Sequence, residues 1–61
     1  MDEIEMTVRD MLASHGDDAL RVIDARIAAA ARRGGWSDVI KWQRVKLRMR
    51  RVEHQAMRLA G

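Results

Sequence analysis

The chain has no cysteine, no proline, no tyrosine and no phenylalanine. Without cysteine, disulfides and thiolate metal sites are excluded. Long apolar runs are missing as well: no segment approaches the ~18 consecutive apolar residues that span a bilayer. The first ten residues, MDEIEMTVRD, are acidic where a signal peptide is basic and then apolar, so a cytoplasmic protein is expected. At 61 residues the chain is expected to form one small domain over 1–61. A core of that size is marginal without disulfides, metal or self-association, which leaves oligomerisation or partner binding as the remaining source of stability.

What is present is charge, unevenly spread. The formal net charge is +3, yet residues 1–18 hold six acids against Arg9, a net −5, and residues 19–61 hold eleven Lys or Arg against three acids, a net +8. Such halves can attract each other within a protomer or between protomers, and the basic half can face an anionic partner.

Three helical patterns follow. Asp2 is placed to cap a first helix over about 2–14. Glu5 sits three residues on as in a capping box, and Met1 and Met6 occupy the staple positions. Ile4, Val8, Met11 and Leu12 recur at the helical period, and Gly16 suits the end. A second helix over about 18–33 is expected to begin with Asp17 or Asp18 as cap. Its buried stripe is Ala19, Leu20, Ile23, Ile27, Ala30 and Ala31, and Gly34-Gly35 break it.

The third pattern, about 38–59 with Ser37 as cap, is the longest. Trp42, Val45, Met49, Val52, Ala56 and Leu59 are spaced 3, 4, 3, 4 and 3, the a/d seam of a coiled coil. A second stripe, Trp36, Ile40, Gln43 and Leu47, lies on another side of the first half only. Two shorter helices can cover so long a helix only in part, so its far end is expected to meet a second chain or fray. Short connections make an up-down-up arrangement the expectation. Trp42 on the seam reads as a core anchor, whereas Trp36 beside the loop has the character of an exposed interface anchor.

The most suggestive functional feature is the run from Lys41 to Arg51, six cations with no acid among them. At ~100° per residue, Lys41, Arg44, Arg48 and Arg51 share one side of the helix. Such a row can follow a phosphate backbone, pair with acidic residues of a partner or of the first helix, or stay solvated. A helix-turn-helix reading, with Ser37, Lys41, Gln43 and Arg44 facing bases, lacks distinct apolar residues to hold a recognition helix steeply.

Catalytic chemistry is not indicated. His15 beside Asp17 and Asp18 falls short of a zinc set, since His54 is on another helix and capping accounts for the aspartates. Ser14 and His15 are neighbours on a helix and do not face each other as nucleophile and base. No glycine-rich phosphate loop follows a strand. No enzyme activity, metal or cofactor is expected.

The motif HGDDA at 15–19, then Ile23, Arg26-Ile27, Ala30, Gly34, and Trp42, Val45 and Arg48, resembles a family of short alphaproteobacterial proteins built on a domain of unknown function. That family has an HG-x-x-A start, an I-x-x-R-I helix, a glycine turn and a W-x-x-[VI]-x-x-R helix. The resemblance covers about residues 14–49. Gly34-Gly35 stand where the family turn often has Gly-Asp, and residues 50–61 extend past its usual end. It implies a compact helical hairpin unit of cytoplasmic type and no activity.

The expected fold is therefore all-α, two short helices and one long one, in a homo-oligomer with a dimer favoured. The expected function is a small protein-interaction or regulatory module. Its interface residues are Trp36, Val45, Met49, Val52, Ala56 and Leu59, and its face for an anionic partner is Lys41, Arg44, Arg48 and Arg51. An acidic protein is one expected class of partner and a membrane is disfavoured. The alternative is a nucleic-acid-binding regulator that uses the same basic face.

Overall fold

The computed structural model describes the backbone of residues 2–60 and the side chains of residues 2–55. The fold is all-α. Helix α1 (Glu3–His15) leads through a 3-10 turn at Gly16–Asp18 into α2 (Ala19–Arg32), and α3 (Trp36–Ala60) completes the chain, with no strand among the described residues.

Helix α1 starts as its capping residue dictates. Asp2 is extended, and its Oδ1 accepts the Glu5 N–H at 2.8 Å. Glu5 does not complete a capping box: its carboxylate accepts from Arg48 at 3.2 Å, reaching across to α3. The helix ends at Gly16, whose φ of 54° turns the chain and whose N–H donates to the Leu12 carbonyl.

The start of α2 differs from the expectation that Asp17 or Asp18 caps it. Both lie in the 3-10 turn, and Asp18 makes no side-chain cap bond. An N-cap carboxylate reaches back to the helix from extended backbone, whereas Asp18 sits near the helical region at φ −86°, ψ −1°. The connection is too short to open out. Asp18 instead faces Arg21 at 3.7 Å, an exposed pair of little energetic consequence.

The α2–α3 corner is a Schellman motif. Gly34 takes φ 74°, the Gly35 N–H donates to the Ala30 carbonyl at 2.8 Å, and the Gly34 N–H donates to the Ala31 carbonyl at 3.1 Å. The chain re-enters a helix at once. The Gly35 carbonyl accepts the Val39 N–H at 3.1 Å, so α3 begins at Trp36 and Ser37 lies inside its first turn, not at its cap. An ion pair between Arg33 and Asp38 at 2.7 Å closes the corner.

All three helices meet in one apolar cluster. Val8 and Met11 come from α1, Ala19 and Ile23 from α2, Val45 and Met49 from α3. Ile4, Leu12, Leu20, Val22, Ile27 and Trp42 pack around it half-buried. Ala30 and Val39 are buried nearer the glycine corner, whereas Ala31, expected on the buried stripe, is exposed. Among the described residues no charged or polar side chain is buried, so the interior carries no electrostatic cost to offset. No described helix is long and apolar enough to cross a membrane.

The glycine corner makes a sharp prediction. A Cβ on Gly34 meets nothing within 4 Å, yet the left-handed backbone disfavours any L side chain. Gly34→Ala should therefore lower stability by about 1–2 kcal/mol through backbone strain alone. Gly35→Ala, whose Cβ touches the Arg33 side chain at ordinary distance, should cost clearly less. Urea unfolding followed by circular dichroism compares the two, and equal losses would contradict the Schellman assignment.

Candidate interaction faces of the third helix

Helix α3 presents three sides, set by the 100° step between residues. Its inner side carries Trp42, Val45 and Met49. Val45 and Met49 have no solvent exposure at all, because α1 and α2 of the same chain cover them. This corrects their assignment to an interface: a side chain already packed in its own core has no surface left for a second molecule. Val52, the next residue of the seam, is 41% exposed. The side chains of Ala56 and Leu59 lie outside the described residues.

One flank is charged and half of its cations are paired from within. Lys41 Nζ lies 3.2 Å from the Glu3 carboxylate, and Arg48 lies 3.2 Å from that of Glu5. On the other flank Lys46 Nζ reaches Asp24 at 2.7 Å. The acidic first helix thus takes up two of the four cations proposed for an anionic partner. Arg44 and Arg51 are exposed, with no acidic partner among the described residues. These pairs are solvent-facing and each adds about 0–1 kcal/mol, so they orient helices more than they hold them.

Trp42 sits where the core meets this charged rim. The Arg26 guanidinium stands 5.0 Å from its ring centroid and the Lys41 ammonium 5.7 Å, so two cations approach a half-buried ring. Lys41 is held between Glu3 and Trp42, which removes it further from service to an outside anion. The Arg26 contact was not foreseeable from spacing along one helix, because it joins α2 to α3.

The third side faces away from the core. Trp36 is 63% exposed, Ile40 52% and Leu47 65%, so three large apolar residues stand in water on one helix. They are the second stripe of the sequence pattern, and no described residue covers them. Between Leu47 and α1 a shallow depression of about 260 Å³ is lined by Asp2, Ile4, Arg44, Leu47, Arg48 and Arg51. A second, of about 350 Å³, lies between Val8, Leu12 and Val52, with the Glu5–Arg48 pair at its edge. Both are open grooves along helices. Among the described residues no three of His, Asp or Glu gather as metal ligands.

Neutralisation by α1 predicts a specific change on an anionic column. The double variant Glu3→Gln/Glu5→Gln frees Lys41 and Arg48. It should elute from heparin at higher salt than Asp10→Asn/Asp17→Asn, which changes net charge equally but touches no pair on α3. Co-elution of the two variants would show that the pairs do not mask those cations.

No family model matches the chain, and no curated protein or solved structure matches it.

Proposed function

We propose that the protein is a small non-enzymatic interaction module, an up-down-up three-helix unit that self-associates through the far part of the α3 seam. The order of contacts supports the arrangement. Glu3 and Glu5 of α1 meet Lys41 and Arg48 in ascending order, and Leu12 shares a groove with Val52, as for helices running the same way. Along α2 the order reverses, with Asp24 at Lys46 and Leu20 beside Arg50 and His54.

The observation that carries the function is the mismatch in helix length. At 25 residues α3 spans about 37 Å, nearly twice the reach of the 13 and 14 residues of its neighbours. Leu20, in the first turn of α2, shares a depression with Arg50, Arg51, Glu53 and His54, so the start of α2 lies beside that part of α3 and the helix runs on beyond it. Val52, half out of the core, begins that overhang, and Ala56 and Leu59 continue the same spacing. A seam that leaves its own core at Val52 is completed most simply by a second copy.

The nucleic-acid reading uses the four-cation face, and two of those cations, Lys41 and Arg48, are engaged by α1. That leaves Arg44 and Arg51 for phosphates, a short row for a sequence-independent grip.

Light scattering coupled to size exclusion tests this directly. The wild type should run as a dimer whose mass is unchanged at high salt, and Val52→Asp/Leu59→Asp should run as a monomer of undiminished helicity. A wild-type monomer that shifts onto a short DNA duplex at low salt would replace self-association with the nucleic-acid reading.

A further inference from the structure

The overhang accounts for one side of α3 and leaves the outer stripe without a role. Trp36, Ile40 and Leu47 lie at i, i+4 and i+11, with Gln43 completing the i+7 position, over about 16 Å of helix. That is the anchor spacing by which helices recognise one another side by side. Trp36 and Leu47 are each more than three-fifths exposed, a high proportion for large apolar side chains. The stripe is narrow, and Ile4 of α1 widens it beside Leu47 in a groove whose charged lining is Arg44, Arg48 and Arg51 with one acid, Asp2.

Charge says what kind of helix fits. Arg33, Lys41, Lys46 and Arg48 each have a carboxylate within 4 Å. Arg44 and Arg51 do not have one among the described residues, and both border the apolar stripe. A second copy offers few free acids: Glu3, Glu5, Asp24 and Asp38 are paired, Asp18 faces Arg21 and Asp2 caps α1, which leaves Asp10, Asp17 and Glu53 among the described residues. Two copies packed outer face to outer face also bring arginines against arginines. A phosphate backbone satisfies the arginines but leaves Trp36, Ile40 and Leu47 in water. A membrane surface takes up a broad apolar face, whereas this one is a single row that polar Gln43 interrupts and His54 follows on the same line.

We propose that the outer face of α3 docks an acidic amphipathic helix of a partner protein. The apolar residues of that helix lie on Trp36, Ile40 and Leu47, and its carboxylates meet Arg44 and Arg51. This rests on reading the chain as an interaction module but uses a face distinct from the self-association seam, so the two fail separately. Trp36 is the principal anchor, being large, rigid and nearest the fixed glycine corner. The arginines set orientation and encounter rate, and their contribution falls as salt rises.

The test is selection from a displayed library of helical peptides against the full chain, with counter-selection against Trp36→Ala/Leu47→Ala. Enriched peptides should carry apolar residues at i, i+4 and i+7 with Asp and Glu in excess beside them. Trp36→Ala should weaken the best of them about 30-fold or more. Arg44→Glu/Arg51→Glu should weaken it at low salt and much less at high salt. Every variant is on the exposed face, and circular dichroism checks that each stays folded. Neutral or basic consensus sequences, binding indifferent to the arginines, or no peptide that depends on Trp36 and Leu47 would overturn the proposal. Trp36-dependent binding to anionic phosphatidylserine vesicles or to a DNA duplex, in the absence of such peptides, would also overturn it. Val52→Asp/Leu59→Asp should leave peptide binding intact, so loss of the dimer alone points to the seam and loss of peptide binding alone points to the outer face.

Discussion

The structure depends on the burial of one short stretch of α3, from Trp42 to Met49, beneath two helices that precede it. Val45 and Met49 close against Ile23, and all three are removed completely from water. Each fully buried aliphatic side chain of that kind contributes about 1.5–3 kcal/mol of transfer free energy. With no disulfide and no described buried polar network, this cluster is the main force that holds the three helices together. The Schellman corner and the Asp2 cap determine where helices stop and start, but they act only once the cluster has formed.

Charge then decides what the folded unit shows to its surroundings. A chain with an acidic first third and a basic remainder folds so that Glu3 and Glu5 lie against Lys41 and Arg48. The resulting pairs are exposed and individually weak. Their larger effect is subtractive: a formally basic helix loses part of its field, and the positive charge that remains, including Arg44 and Arg51, gathers next to exposed Leu47. Net charge alone would point to polyanions. The distribution after folding is a mixed surface, apolar in the middle and cationic at its edge, and it is the face on which the proposed helical partner would sit.

Much of this was legible in the sequence. Val8, Met11, Ile23, Val45 and Met49 recur at the helical period because they share a core, and the glycine pair marks a corner because only glycine accepts the left-handed turn at Gly34 cheaply. The destination of the α3 seam was not legible. A 3-4 repeat shows that one face is buried and is silent on whether the cover comes from the same chain or another, so Val45 and Met49 were expected at an interface. The caps at Asp17, Asp18 and Ser37 failed for a different reason. Capping depends on backbone angles that the length of the connection decides, and both connections proved tighter than the side chains suggested. The candidate cations were visible one by one, but which of them α1 would neutralise depended on the register between helices 38 and 43 residues apart in sequence.

Amide hydrogen exchange along α3, measured at low and high protein concentration, tests the central division of that helix into self-covered and open parts. The account predicts that amides from Trp42 to Met49 exchange slowest and at rates independent of concentration. Those beyond Val52 should exchange faster and gain protection as the protein is concentrated. Protection of Val45 and Met49 that disappears on dilution would contradict it, because their cover would then come from a second molecule.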